Sequence, residues 1–141
     1  MQQELVSDWM TREVITIAPE TSLKEAHDIM NSRTIRRLPV VTHGRVAGMV
    51  TLGDIRGAEP SKASSLSVWE VNHLLAKLKV SEIMTRNPIT IQQTASIGDA
   101  AKIMLEKKFS GLPVVDEAEH LVGIITESDI FRLVVKEWHK D

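Results

Sequence analysis

The sequence predicts an α+β protein in which two copies of one strand-helix-strand-strand-helix unit pack about a pseudo-two-fold axis. Three observations carry that expectation. An ordered set of matches recurs along the 141 residues at a nearly constant offset. Each copy mixes short β-branched runs with stretches of helical periodicity. Each copy is also only about 50–60 residues long, a size at which one small core is marginal, so the pair is expected to bury a common face.

The repeat is read directly. Val6-Ser7-Asp8-Trp9-Met10-Thr11-Arg12 matches Val80-Ser81-Glu82-Ile83-Met84-Thr85-Arg86, an offset of 80 − 6 = 74. At that offset Ser22 meets Ser96, Ala26 meets Ala100, Met30 meets Met104, and Leu38-Pro39-Val40-Val41 meets Leu112-Pro113-Val114-Val115. One residue of loop difference follows. Gly48, Thr51, Asp54 and Ile55 then meet Gly123, Thr126, Asp129 and Ile130. Matches in one order with a single slip mark a duplication.

Residues 14–17 and 88–91 are short β-branched runs and read as strands. Ser22 and Glu25 form a capping-box pattern opening a helix with Leu23, Ala26 and Met30 on one face. Ser96 opens the counterpart, with Ile97, Ala100 and Met104. Residues 38–41 and 112–115 are buried-strand candidates. Gly44 marks a tight hairpin into a strand over 46–51. The second hairpin has a longer acidic tip at 116–119 before a strand over 120–126. Closing helices start near Gly53 and Ser128, and Gly57, three residues after Asp54, predicts a short first one. Residues 57–65 read as a linker. Residues 66–79 read as an amphipathic helix with Leu66, Trp69, His73 or Leu74, and Leu78 on the face that packs on the module. The resulting division is a first repeat over 1–57, a linker and connecting helix over 58–79, and a second repeat over 80–141.

Composition narrows the function classes. The net charge is −2, so no global positive field favours nucleic acid or an anionic membrane. No run approaches the roughly 20 apolar residues that span a bilayer, and the first residues lack a secretion-signal pattern. There is no cysteine, which excludes disulfides and thiolate chemistry and fits a reducing compartment. A soluble, cytoplasmic protein is expected. No phosphate-binding glycine loop, dinucleotide fingerprint or nucleophile elbow is present, and the five histidines show no metal-ligand spacing. Neither an enzyme nor a metal site is expected.

The doubled set of Met-Thr-Arg-x-x-Ile-Thr-Ile, Leu-Pro-Val-Val and Gly-x-x-Thr-x-x-Asp-Ile segments resembles the CBS repeat, named after cystathionine β-synthase. The pair resembles a Bateman module, and the resemblance covers nearly the whole chain. It implies a disc of paired repeats, often a homodimer, whose clefts bind AMP, ADP, ATP or S-adenosylmethionine. Ligand there shifts the packing of the repeats and regulates an effector protein that the sequence does not name. No cofactor is required and no residue is catalytic.

Within such a cleft, Thr51 and Asp54, and Thr126, Ser128 and Asp129, stand at helix starts. The carboxylate can accept both ribose hydroxyls, while the threonine and free backbone N–H groups suit phosphate. Val14 and Ile15 in the first site, and Pro88 and Ile89 in the second, would sandwich adenine. Arg36, Arg37 and Pro39, against Ser110, Gly111 and Pro113, would complete the walls. Two guanidinium groups predict that the first site prefers phosphate-rich nucleotides. The neutral Ser110-Gly111 pair and the anionic Glu127 predict a less charged ligand, or none, in the second. Thr-x-x-Asp is equally an ordinary helix cap. The competing reading is a constitutive dimerisation scaffold with unoccupied pockets; nucleic-acid binding through residues 33–37 is a weaker third.

Overall fold

The computed structural model describes residues 4–60 and 65–139. The chain divides into two compact units that cut across the sequence copies. One joins the chain up to Val14 to the chain from Ile89; the other is Ile15–Pro88. Each is described in turn.

In the Ile15–Pro88 unit, α2 (Leu23–Arg33) is capped by Ser22, whose Oγ accepts the Glu25 N–H at 3.0 Å. It ends at Thr34 in the left-handed region, φ 56°. Strands β1 (Arg37–Thr42) and β2 (Arg45–Thr51) form a hairpin. Its two-residue turn has positive φ at both His43 and Gly44, the conformation that matches strand twist. Helix α3 (Leu52–Ala58) follows at once and has seven residues, as short as Gly57 predicts. After α4 (Val68–Lys77) and a 3-10 turn (Val80–Glu82), β3 (Thr85–Arg86) pairs antiparallel with β2. Leu23, Ala26 and Met30 of α2, Leu38 and Val40 of β1, Val50, Ile55, Leu75, Val80 and Met84 make the core.

The other unit repeats this plan with α1 (Val6–Trp9), β4 (Ile91–Gln92), α5 (Ile97–Lys107), β5 (Gly111–Val115), β6 (Leu121–Thr126) and α6 (Glu127–Trp138). Ser96 caps α5 by accepting the Asp99 N–H at 3.0 Å, and Lys108 closes it at φ 59°. Val6 and Met10 from the start of the chain join Ile97, Ala100, Met104, Leu112, Val114, Ile125 and Leu133 in the core. Thr11 bridges Ile124 as Thr85 pairs with Met49. Each unit therefore completes its sheet edge with a Met-Thr-Arg segment that belongs, by sequence, to the other copy.

Two expectations are corrected. The runs 14–17 and 88–91 are not four-residue strands. In the first only Ile17 bridges, parallel to Val40; in the second the strand is Ile91–Gln92, parallel to β5. The upstream residues lie where the chain leaves one unit for the other, between Val14 and Ile15 and between Pro88 and Ile89. No ladder partner runs beside them. The buried face of α4 differs in part: Leu78 packs on the core as expected, but beside Val71 and Leu75, while Trp69 stays 71% exposed, stacked on His73 at 5.3 Å.

Candidate functional site

A corner forms in each unit where the hairpin runs into its helix. The antiparallel register sets Arg37 opposite Thr51 and Gly111 opposite Thr126. One backbone bond then locks each corner. The Leu52 N–H donates to the Arg36 carbonyl at 2.8 Å, and the Glu127 N–H donates to the Ser110 carbonyl at 3.0 Å. Arg36, Arg37, Thr51 and Asp54 are thereby gathered in one unit. Ser110, Gly111, Thr126, Ser128 and Asp129 are gathered in the other.

The threonine and aspartate are coupled at each helix start. Asp54 Oδ2 accepts the Thr51 N–H at 2.9 Å, and Thr51 Oγ1 accepts the Asp54 N–H at 3.1 Å. This is the reciprocal cap that the spacing also allows. Asp129 Oδ2 accepts the Thr126 N–H at 2.8 Å and the Thr126 hydroxyl at 3.1 Å. The two carboxylates differ in access. Asp54 is half-buried, whereas Asp129 is fully buried, the single charged side chain so enclosed among the described residues.

The remaining predicted residues divide. Arg36 and Ser110 are exposed beside the corners, and Arg37 is half-buried at the first residue of β1. Ser128 is exposed on the first turn of α6, with Glu127 beside it. Pro39 and Pro113 lie deeper, buried in their strands opposite Met49 and Ile124. Val14 and Ile15 fall in different units, as do Pro88 and Ile89. Ile89 is 39% exposed, an apolar side chain open to solvent.

Sequence reasoning missed Arg132. Its guanidinium, 60% exposed, forms an ion pair with Asp129 Oδ1. The signal was present as an Asp-x-x-Arg spacing on one helix face. Among the described residues no group of three or more histidine and acidic side chains could hold a metal ion, and no helix is long and apolar enough to cross a membrane.

Paired α+β units, each with a Thr-x-x-Asp corner between hairpin and helix, define a tandem-repeat protein. The chain belongs to the CBS domain family: the family model matches twice, at residues 6–61 and 80–136. It is 36% identical over 133 residues to a CBS domain-containing protein of Dictyostelium discoideum, covering 94% of this chain and 92% of that one. The CBS domain pair of MJ0100, solved with 5'-methylthioadenosine and S-adenosyl-L-methionine, shares 34% identity at a TM-score of 0.76. It covers 94% of this chain and 97% of its own. CBSX2, solved in complex with AMP, shares 27% identity at a TM-score of 0.80, covering 96% and 99%. Other relatives are longer. The chain spans 47% of MJ1225 from Methanocaldococcus jannaschii and 23% of an inosine-5'-monophosphate dehydrogenase from Korarchaeum cryptofilum. The fold is that of a CBS pair.

Proposed function

We propose that the chain is a non-enzymatic regulatory module that binds an adenosine-type ligand at its Thr-x-x-Asp corners, with occupancy read by a separate effector protein. The observation that carries this reading is the corner itself. A strand register and one backbone bond hold a carboxylate, a threonine and the first turn of a helix together in both units. A carboxylate accepts from vicinal ribose hydroxyls, and a helix start attracts phosphate oxygens. That MJ0100 and CBSX2 were solved with adenosyl ligands supports the same chemistry here.

The first corner takes the more highly charged nucleotide, since Arg36 is exposed beside Thr51 and Asp54 and a guanidinium forks onto phosphate. Thermal unfolding with ATP, ADP, AMP, adenosine and S-adenosylmethionine tests the reading. Stabilisation by sub-millimolar ligand is expected, with Arg36→Ala lowering the preference for ATP over adenosine by about tenfold or more, one charge-assisted contact. Equal melting temperatures across the panel would leave the scaffold reading.

That second reading has its own observation. A groove of about 540 Å³ between α5 and α6 is lined by Met104, Leu105, Phe109, Ile130 and Phe131, with Lys108 and Glu127 also on its walls. Leu105 is 82% exposed and Phe131 62%. Opposite charges flanking one apolar groove are self-complementary under two-fold symmetry. We therefore propose a homodimer through this face, in a reducing cytoplasm that the cysteine-free chain tolerates. Sedimentation should show a dimer that Phe131→Glu converts to monomer; a monomeric native protein would remove the proposal.

A further inference from the structure

The two carboxylates are not equally available. Asp129 has both oxygens engaged: Oδ2 takes the Thr126 N–H and hydroxyl, and Oδ1 is held by Arg132. It is wholly buried. At the matching position of the first copy, by the 75-residue offset that sets Asp129 against Asp54 (129 − 54), stands Gly57, which has no side chain to offer. Asp54 is only half-buried.

We propose that Arg132 is an internal competitor for the second carboxylate, so that the two corners fill unequally, the first before the second. This rests on the reading of the corners as ribose sites. A diol needs two of a carboxylate's roughly four acceptor positions and only one is left on Asp129, so one partner has to yield, and the exposed Arg132 guanidinium on Oδ1 is the one with solvent to move into. A diol approaching Asp54 finds Gly57, with no guanidinium to offer, at the position that Arg132 holds beside Asp129. The arginine is suited to this role: its partner is buried, so the pair is little screened, yet its own side chain is 60% exposed and has solvent to swing into. An arginine that held Asp129 for packing alone would be a fixed element of the fold. One that competes for it sets the order in which two sites respond to rising ligand.

Reciprocal substitutions test this. Arg132→Gly gives the second copy the residue of the first. Because it strips a buried carboxylate of its partner and can weaken the fold, Gly57→Arg provides the independent arm. A Cβ built on Gly57 meets no atom of the described residues within 4 Å, so the backbone there has room for a side chain to start, three residues from Asp54 as Arg132 is from Asp129. Calorimetric titration uses AMP and 2',3'-dideoxy-AMP, which lacks both hydroxyls. The native chain should show one tighter and one weaker AMP site. Gly57→Arg should weaken the tighter site by about tenfold or more, the equivalent of one charge-assisted hydrogen bond. Arg132→Gly, in an Asp54→Ala background that isolates the second site, should strengthen it by a similar factor. Neither change should alter the response to the dideoxy analogue.

If AMP binds but both substitutions leave its affinities unchanged, or the native sites are equal, the competitor is overturned and the ribose reading stands. Should the native chain and both variants all fail to bind AMP, the ribose reading falls and takes the competitor with it.

Discussion

A methyl group built on Gly48 would lie 2.5 Å from Met84 Sδ and 2.9 Å from the Thr85 carbonyl oxygen. One on Gly123 would lie 2.6 Å from Met10 Sδ and 2.8 Å from the Thr11 carbonyl. These glycines are where the Met-Thr-Arg segment of one copy crosses the hairpin beside the other copy's Leu-Pro-Val-Val strand. The carbonyl cannot move without breaking the edge pairing of Thr85 with Met49 and of Thr11 with Ile124. Gly48→Ala and Gly123→Ala are therefore expected to cost about 1–3 kcal/mol each, read as a lower urea midpoint. Gly98→Ala is the control. Its nearest neighbour would be Ser96 Oγ at 3.7 Å, and a helical alanine in place of glycine should gain about 0.5–1 kcal/mol. An alanine at 48 as stable as the native glycine would remove the close approach. The sequence shows that both glycines are repeated; only the crossing segment shows why.

Helix α4 illustrates how far an element can be read from its own residues. Its existence was legible in the apolar spacing; the structure adds a cap that was not read, in which Ser67 Oγ accepts the Glu70 N–H at 3.1 Å and Glu70 Oε1 accepts the Ser67 N–H at 3.2 Å. Its orientation was not. Two stripes that share Leu78 run along it, the expected one through Leu66, Trp69, His73 or Leu74, and Leu78, and another through Val71, Leu75 and Leu78. Periodicity alone weighs them alike. Packing against α2 selects the second. Leu75, 3% exposed, should lose about 2–4 kcal/mol on truncation to alanine, whereas Trp69→Ala should change stability by no more than about 0.5 kcal/mol. The reverse order in thermal melts would mean the helix docks by the other face. The strand runs teach the same lesson. Residues 14–17 and 88–91 have strand composition, but a strand needs a neighbour, and most of these residues have none.

For the whole molecule, the consequence of the fold is that neither sequence copy holds a complete core. Val6 is fully buried among residues of the second copy, and Val80 is fully buried among residues of the first. Backbone bonds fasten both: the Val6 N–H donates to Ala95 at 2.8 Å and the Val80 N–H to Thr21 at 2.8 Å. A fragment over 80–139 lacks Val6 and Met10 and carries an unpartnered 80–88 segment. It should show no cooperative melt and a collapsed amide NMR spectrum. A permuted chain in which 89–139 is joined by a flexible linker to 4–14 contains the whole unit and should be markedly better ordered. Cooperative folding of the 80–139 fragment by itself would contradict this division of the core.

The sequence by itself determined the duplication, the order of helices and hairpins, the caps at Ser22 and Ser96, and the Thr-x-x-Asp spacing at two helix starts. All of these depend on neighbours within a few residues or on a pattern written twice. Only the tertiary structure decided which copy's Met-Thr-Arg segment closes which sheet, which stripe of α4 is buried, and that Arg132 rather than solvent faces Asp129. Those are choices between partners of similar local merit, and they are settled by burial and by pairing between residues far apart in the chain.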